Sequence, residues 1–287
     1  MKVNGYNCTL EAICQGEENS QLAIIVHGFP DTPENWKPII NGLTNSGYKV
    51  ICPWLRGYWP SQAAPPYNIG TIGLDILQIA LDNSVKNDSI IIGHDFGAMG
   101  AYCAANLHPD LFSKIITMSV PPFGAVFEGF LTIEQLKKSW YIFFNQTFLA
   151  EAVLPMNDFA FIDQLWEDWS LNSNTDYKPF SRLSKACFES PDNITAALSY
   201  YRSLFDLSQH DDVRIVNALV AFQNPVSLPT LYMHGSNDGC IGQEVGTLAT
   251  KYLNEQSKFK LIENAGHFLQ IDKPNEILAE TLKFLDE

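Results

Sequence analysis

The sequence predicts an α/β fold in which a mostly parallel β-sheet is covered by helices on both faces and carries an inserted helical segment. Short, continuously apolar runs rich in β-branched residues alternate with stretches of helical periodicity, and the connections between them are short. Continuous apolar runs are typical of parallel strands that are buried on both faces. The strand pattern stops in the middle of the chain and later resumes, which indicates an insertion.

The predicted strands and helices of the sheet domain follow one another in alternation. A weakly alternating run at 7–13 predicts an edge strand, and a Pro-rich stretch at 53–66 predicts a loop. The other predicted strands lie at 22–26, 48–52, 89–92, 114–119, 228–235 and 259–262. The predicted helices of this part lie at 35–43, 72–80, 98–107, 245–253 and 275–285.

The middle of the chain lacks strand-like runs and is rich in aromatic residues. Helical periodicity there predicts a cap built from helices at 133–148, 162–169 and 194–205. An independent second domain is the alternative, but we favour an insertion because the strand pattern resumes afterwards. The predicted organisation is a first part of the core at 1–122, a helical cap at 123–222 and a second part of the core at 223–287.

Composition limits the classes of partner. The 287 residues are 46% hydrophobic and 17% charged, as in globular proteins, and the formal net charge of −14 argues against nucleic acid and anionic membranes. No apolar run approaches the ~18 residues of a membrane-spanning helix, and the N-terminal residues lack the apolar segment of a signal peptide. The six cysteines lack paired spacing, so we expect free thiols and a cytoplasmic protein.

The segment Gly93-His94-Asp95-Phe96-Gly97 lies between a predicted strand and a predicted helix. A Gly-x-Xaa-x-Gly turn in this context is typical of a nucleophile elbow, whose central side chain projects over the carboxyl edge of the sheet. The glycines leave room for the strained turn. Asp95 is therefore a candidate nucleophile, and the alternative is an ordinary strand-to-helix turn capped by Asp95.

Asp238 and His267 each follow a later predicted strand. The carboxyl ends of parallel strands meet at one crevice, and nucleophile, acid, histidine is a known chain order for a catalytic triad. The alternatives are a solvated turn residue for Asp238, which lies in an Asn-Asp-Gly sequence, and a loop-to-core histidine for His267. The triad hypothesis predicts that the His267 ring lies within hydrogen-bond reach of Asp238 and close to Asp95.

The segment His27-Gly28-Phe29-Pro30 follows an early predicted strand at the same sheet edge. A backbone N–H at this place and the N–H of the residue after the nucleophile form the oxyanion hole of an elbow. The predicted donors are the amides of Phe29 and Phe96, and their side chains can be apolar because only the backbone donates. The alternative is a rigid turn with a cis bond before Pro30.

These motifs, together with an Arg-Gly-Tyr at 56–58, resemble those of the epoxide hydrolases of the α/β-hydrolase fold over nearly the whole chain. The resemblance implies that fold, and it implies two cap tyrosines that hold the epoxide oxygen. The first typically lies in an aromatic stretch ending in Gln, which points to Tyr141. The second typically precedes Arg, which points to Tyr201, with Tyr200 as its rival.

The resemblance also implies a two-step hydrolysis of an epoxide to a vicinal diol. Asp95 attacks a ring carbon and forms an alkyl ester, while Tyr141 and Tyr201 stabilise and protonate the oxygen. His267, oriented by Asp238, then activates the water that cleaves the ester.

Further expectations concern the ligands. The resemblance implies that His27, Pro30 and Trp140 contact the substrate. No metal or organic cofactor is expected, because the sequence shows no phosphate-binding loop or metal-ligand spacing. The expected partners are a small apolar or aromatic epoxide and water, without nucleic acid or a membrane span, and the sequence does not specify an oligomeric state.

Two other functions are compatible with the same residues: a dehalogenase with the Asp95 nucleophile, and a small-molecule binding protein without turnover. In haloalkane dehalogenases a Trp after the nucleophile donates to the leaving halide, and fluoroacetate dehalogenases have Arg there. This chain has Phe96, which has no donor. The halide-binding group is therefore missing at this position, and the epoxide hypothesis is favoured.

Overall fold

The computed structural model describes residues 1–170, 175–206 and 212–287. The strands in this part of the chain are β1 (Lys2–Gly5), β2 (Cys8–Gln15), β3 (Leu22–Val26), β4 (Lys49–Pro53), β5 (Ser89–His94), β6 (Phe112–Met118), β7 (Thr230–Gly235) and β8 (Lys258–Ile262). They form one eight-stranded sheet in the order β1-β2-β4-β3-β5-β6-β7-β8. β1 and β2 pair antiparallel, as do β2 and β4, and all other neighbours are parallel.

Fourteen α-helices occur among the described residues. The first three are α1 (Lys37–Asn45), α2 (Ile69–Asn83) and α3 (Phe96–Leu107). Between β6 and β7 lie α4 (Phe123–Phe130), α5 (Ile133–Lys138), α6 (Trp140–Phe144), α7 (Leu149–Val153), α8 (Met156–Trp169), α9 (Lys178–Lys185), α10 (Pro191–Ser203) and α11 (Val213–Gln223). The last three are α12 (Gln243–Thr247), α13 (Leu269–Asp272) and α14 (Pro274–Leu285). None of these described helices is long and apolar enough to cross a membrane.

The sheet is covered on both faces, as predicted. In the central strand β5, Ile91 packs into the apolar cluster that includes α2 and α3, whereas Ile90 and Ile92 pack into the cluster that includes α1 and α14. All three side chains are buried. Alternation along a strand therefore gives each face its own core. The carboxyl edge of the parallel strands is left open for functional side chains.

The predicted strands each correspond to one of β2–β8, and the predicted fold class is confirmed. β1 was not predicted, because it is a four-residue edge strand with a half-exposed sequence. The helix predicted at 245–253 is shorter than expected: α12 ends at Thr247 and the chain continues as a 3₁₀ turn over Leu248–Lys251.

The single helix predicted at 133–148 is wrong, because the chain forms the two short helices α5 and α6 there, and α7 begins only at Leu149. Between α6 and α7 the Arg202 guanidinium donates to the carbonyl oxygens of Asn145 (3.1 Å) and Thr147 (3.1 Å) and pairs with Glu151. These carbonyls are thus satisfied from another helix. In a continuous helix the same carbonyl oxygens would accept hydrogen bonds from backbone amides four residues later.

Four helices between β6 and β7 were not predicted: α4, α7, α9 and α11. α11 packs against α2 and α3 of the sheet domain. This packing favours a cap that ends before Val213 and not at residue 222. We therefore propose residues 123–212 as the cap insertion, with α11 counted as part of the core.

Candidate active site

Asp95 lies directly after β5 at the start of α3, with φ 54° and ψ −121°. Positive φ is unusual for a non-Gly residue, and such strain is typical of functional turns. The two flanking glycines permit it. A Cβ on Gly97 would lie 2.0 Å from the Val26 carbonyl oxygen, and one on Gly93 would lie 2.4 Å from the Gly97 carbonyl oxygen. The elbow therefore depends on glycine at both positions.

Asp95, Asp238 and His267 converge at the carboxyl edge of the sheet. His267 Nδ1 lies 3.0 Å from Asp238 Oδ2, which confirms the predicted hydrogen bond. On its other side, His267 Nε2 lies 3.6 Å from Asp95 Oδ2. The imidazole is thus placed between the two carboxylates, as the triad hypothesis requires.

Backbone donors hold Asp238 in position. Its Oδ1 accepts from the amides of Cys240 (2.8 Å) and Ile241 (2.9 Å), so Oδ2 is left for His267. Burial works to raise the pKa of Asp238, but His267 and these donors overcome it and lower the pKa below its usual value. Asp238 is therefore an ionised acceptor that fixes the ring orientation.

His267 is fully buried, and burial by itself would lower its pKa. The adjacent Asp238 carboxylate raises the pKa of His267 by more than burial lowers it, and Asp95 raises it further. The pKa of His267 is therefore well above its ordinary value. This shift favours the protonated form of His267 while Asp95 is charged. Loss of the negative charge on Asp95 would lower the pKa of His267.

The Phe29 amide donates to Asp95 Oδ1 at 2.8 Å, which is the geometry expected of an oxyanion-hole donor. Gly28 makes this approach possible, since a Cβ there would lie 2.2 Å from Asp95 Oδ1. Phe96 is the first residue of α3, so its amide is at a helix N-terminus, where negative charge is favoured. The Phe29–Pro30 peptide bond is cis.

A cavity of about 430 Å³ opens over Asp95 and is lined mostly by apolar side chains. Tyr141 and Tyr201 both line it, their rings meeting edge to face with centroids 5.6 Å apart. The Tyr141 hydroxyl lies 3.2 Å from Cys240 Sγ. The Tyr201 hydroxyl is buried and has no hydrogen-bond partner among the described residues. Two buried tyrosines thus line the same cavity as the Asp95 carboxylate.

Tyr200 differs from its neighbour. Its hydroxyl donates to the Arg56 carbonyl oxygen at 3.1 Å, and Tyr200 does not line the cavity. Tyr201 lines the cavity and packs edge to face against Phe29 and Phe96, the two residues that carry the candidate oxyanion amides, whereas Tyr200 contacts only Phe96 of this pair. The geometry therefore favours Tyr201 over Tyr200 as the second cap tyrosine.

The alpha/beta hydrolase fold family matches residues 24–274 of the sequence. The chain belongs to this family. It is similar to "Epoxide hydrolase 4" of Homo sapiens, with 25% identity over 288 residues that cover 96% of this chain and 75% of that protein. "Epoxide hydrolase A" of Mycobacterium tuberculosis is 25% identical over 318 residues, covering 96% and 94%. A mutant epoxide hydrolase from Bacillus megaterium has a similar fold, with a TM-score of 0.83 at 21% identity and full coverage of both chains.

Three residues expected to contact substrate do not line the cavity of this α/β-hydrolase. His27 is fully buried: its Nε2 accepts from the Leu55 amide, and burial lowers its pKa to about 4, so it is a neutral structural residue. Pro30 is buried in the turn after Phe29. Trp140 is 44% exposed and packs against other cap aromatics. These positions support the turn or the cap surface, and we do not assign them substrate contacts.

Sequence reasoning missed several residues that hold the histidine of this α/β-hydrolase. The Trp169 carbonyl oxygen accepts from the His267 amide (2.9 Å), and the Trp169 ring packs against both His267 and Tyr141. Ser119 Oγ donates to the His267 carbonyl oxygen (2.6 Å), and His94 Nε2 lies 2.9 Å from the same oxygen. His94 is the last residue of β5 and Ser119 directly follows β6. Their positions at the carboxyl ends of strands could have identified them as neighbours of the site from the sequence.

Proposed function

We propose that this α/β-hydrolase is an epoxide hydrolase that forms a vicinal diol through an alkyl ester of Asp95. The observation that carries the proposal is the pair of buried hydroxyls, Tyr141 and Tyr201, in the same cavity as the Asp95 carboxylate. An epoxide needs both a nucleophile at carbon and an acid at oxygen, and these groups supply the two. Relatives named epoxide hydrolases match almost the whole chain, which agrees with this proposal.

In the first step, Asp95 Oδ2 forms a bond to a ring carbon while the bond from that carbon to the epoxide oxygen breaks. Asp95 Oδ1 stays on the Phe29 amide and becomes the ester carbonyl oxygen. The released oxygen takes a proton from a tyrosine hydroxyl, and His267 returns that proton. The raised pKa of His267 supports this role, since the Asp95 charge favours a protonated ring and loss of that charge in the ester favours release of the proton.

The tyrosines are suited to donate a hydrogen bond in the resting site. Burial raises the pKa of both Tyr141 and Tyr201 well above the usual value, and the charge on Asp95 raises it further. Both hydroxyls therefore carry their protons when the epoxide binds. Formation of the ester removes the Asp95 charge, which makes proton donation easier at the moment it is needed.

In the second step, neutral His267 takes a proton from water, and the hydroxide adds to the ester carbonyl carbon of Asp95. The resulting oxyanion is stabilised by the amides of Phe29 and Phe96, each worth ~2.7–4 kcal/mol by analogy with other oxyanion holes. Collapse of the intermediate expels the alkoxide, which takes the proton of the new carboxyl group. The diol leaves, and Asp95 and protonated His267 are regenerated.

The lining indicates the substrate class. Apart from Asp95 and the tyrosine hydroxyls, the cavity is faced mostly by phenylalanine and aliphatic side chains. A cavity of about 430 Å³ accommodates a small ligand, and an apolar lining binds apolar groups. We therefore propose a small apolar or aromatic epoxide, with water as the second substrate.

The decisive assay compares styrene oxide with a 1-bromoalkane, using the wild-type protein and reading diol and halide separately. We expect diol from the epoxide and no halide release, since Phe96 offers no donor for a leaving halide. Halide release without diol would assign a dehalogenase. Binding of either compound without any product would indicate a binding protein that uses this fold.

The covalent step is tested by mass spectrometry of the His267→Gln variant. A carboxylate attacks without a base, so this variant should form the ester and fail to hydrolyse it. We expect a gain of one substrate mass that maps by peptide analysis to Asp95, and no gain at this site in Asp95→Ala. Wild-type turnover in His267→Gln, or conversion by the variant without any adduct, would refute the mechanism.

We also propose a cytoplasmic location. The support is the state of the six cysteines, which are all free thiols, two of them half-buried and four buried. Free thiols are typical of reducing compartments. Fractionation of the native source, with the chain found in an oxidising compartment, would contradict this proposal.

A further inference from the structure

Three potential metal-ligating side chains meet beside the cavity, and two of them, Asp95 and Cys240, line it. A carboxylate oxygen of Asp95, the Cys240 sulfur and a ring nitrogen of His267 all lie within 4.8 Å of one another. The spacing between His267 Nε2 and Asp95 Oδ2 is 3.6 Å. Ligand atoms around a tetrahedral Zn²⁺ are about 3.3–3.6 Å apart, as follows from bond lengths of ~2.0–2.3 Å. The Asp95–His267 spacing therefore fits a tetrahedral ion, and the Cys240 sulfur lies within 4.8 Å of both other atoms.

The histidine is oriented as metal-ligating histidines are. Its Nδ1 bonds to the Asp238 carboxylate, and its Nε2 is buried, points at this cluster and has no hydrogen-bond partner among the described residues. A carboxylate on the second ring nitrogen fixes the ring and increases the basicity of the ligating nitrogen. Asp238 is itself held by two amides, so the arrangement is rigid before any ion arrives.

Cys240 determines which class of ion is favoured. Its sulfur faces the cavity, 3.2 Å from the Tyr141 hydroxyl, and the side chain is buried. A thiolate with an imidazole selects Zn²⁺ and related soft ions, whereas Mg²⁺ and Ca²⁺ prefer sites made only of oxygen ligands. The catalytic steps proposed above use Asp95 and His267 but do not use Cys240, so its presence there is otherwise unexplained.

The geometry points to a reversible inhibitory site for Zn²⁺ or Cd²⁺, formed by Asp95, Cys240 and His267, with water or the Tyr141 hydroxyl completing the coordination. Binding replaces the thiol proton of Cys240 and the Nε2 proton of His267, which pass to solvent, and involves no electron transfer. The ion would occupy the Asp95 oxygen that attacks the epoxide and the nitrogen that activates water. Metal and substrate would therefore exclude each other.

The direct test uses Cd²⁺ with the full-length protein and needs no substrate. Binding through a thiolate produces a cadmium–sulfur charge-transfer band in the ultraviolet, and titration gives the stoichiometry. We expect one Cd²⁺ per chain with such a band in the wild type. In Cys240→Ser the band should disappear and the affinity should fall by ~100-fold or more, beyond the 10–100-fold typical of lost supporting groups.

Two further variants make the result specific. His267→Gln, which removes a different ligand, should also weaken Cd²⁺ binding and keeps the test open should Cys240→Ser fold poorly. Cys14→Ser removes a half-buried thiol far along the sequence and should bind Cd²⁺ like the wild type. An unchanged band in Cys240→Ser, or loss of the band in Cys14→Ser, would overturn the site.

Inhibition provides a readout that does not depend on spectroscopy. If diol formation from styrene oxide is observed, Zn²⁺ should inhibit it competitively and a chelator should restore it, while Mg²⁺ should have no effect. In Cys240→Ser the ratio of rates with and without Zn²⁺ should return toward one. Because Cd²⁺ binding is measured without substrate, the metal site and the epoxide hydrolase proposal can fail independently.

Discussion

The strand edge and the cap hold their functional side chains by different means. At the strand edge every charged group is fixed by hydrogen bonds: Asp95 accepts from the Phe29 amide, and Asp238 accepts from two amides and from His267. In the cap, Tyr201 is positioned by ring contacts, and its hydroxyl bonds to no described residue. Hydrogen bonds thus position the charged side chains at the strand edge, whereas ring packing positions the Tyr201 side chain in the cap.

This difference has a mechanistic meaning. Charged groups need preorganised donors, because a misplaced charge in a buried site is costly. A tyrosine hydroxyl without a protein partner is free to donate to whatever enters the cavity. Removing a charged group should therefore abolish the chemistry, whereas removing a cap hydroxyl should weaken it and leave the fold unchanged.

The largest expected effect is that of Asp95→Ala at the strand edge. Since the carboxylate is the only proposed nucleophile, diol formation should fall by at least ~10⁴-fold, as for the loss of other covalent nucleophiles. Circular dichroism should show an unchanged fold, because the variant keeps Gly93 and Gly97, which make the close backbone approaches of this turn. Residual turnover above a few per cent of the wild type would show that water attacks the epoxide directly.

The next effect tests the cap. Tyr141→Phe removes one hydroxyl from the cavity and should lower diol formation by ~10²-fold or more, the usual range for a lost general acid. Tyr200→Phe is the matched control, since its hydroxyl is used by the Arg56 carbonyl outside the cavity. The control should cost about 1 kcal/mol of stability and leave turnover near that of the wild type. Equal turnover losses in both variants would show that removing a buried tyrosine hydroxyl acts through the structure and not through proton donation in the cavity.

The same contrast explains what could be predicted from the sequence. Strand ends, the glycines around Asp95 and the order of Asp238 and His267 are local features, because sterics and strand direction decide where those side chains point. In the cap, the break between α6 and α7 depends on Arg202 from α10, which bonds to carbonyls 55 and 57 residues earlier in the chain. Helical periodicity carries no signal for such long-range bonds, so 133–148 was predicted as one helix.

The metal-ligand cluster was missed for a related reason. Asp95, Cys240 and His267 follow three different strands and have no recognisable ligand spacing. Cys240 lies only two residues after Asp238, but a single cysteine in a loop does not by itself indicate a site. The triad could therefore be predicted from motifs, whereas the third metal ligand required coordinates.

A third prediction concerns stability beneath the strand edge. Asp31 is fully buried and accepts from Asn35, Trp36 and Gln270; burial raises its pKa to about 6 despite these donors. The folded state therefore holds this proton more tightly than the unfolded state, where the pKa is ~4. The resulting stabilisation is present below pH ~4 and is lost as the pH rises through 6.

This linkage can be measured by urea unfolding of the wild type and Asp31→Asn, which does not titrate. The free energy of unfolding of the wild type relative to the variant should fall by roughly 2 to 2.5 kcal/mol between pH 4 and pH 7.5. Hydrogen bonds lost in the variant change its free energy of unfolding by an amount that does not depend on pH, so this amount cancels when the two pH values are compared. A difference that does not change with pH would mean that Asp31 is ionised throughout.

The smallest effect is expected for Trp140→Ala, and it separates the surface of the cap from its cavity. The resemblance implied a substrate contact for Trp140, but its ring is 44% exposed and lies among cap aromatics outside the cavity lining. We expect kcat and KM for styrene oxide within about twofold of the wild type, with a stability loss of ~1 kcal/mol from the buried part of the ring. Phe148→Ala, which removes another exposed cap aromatic, is the matched control. If KM rises severalfold in Trp140→Ala while Phe148→Ala behaves like the wild type, Trp140 contacts the substrate after all, and the cap must then rearrange around the epoxide when it binds.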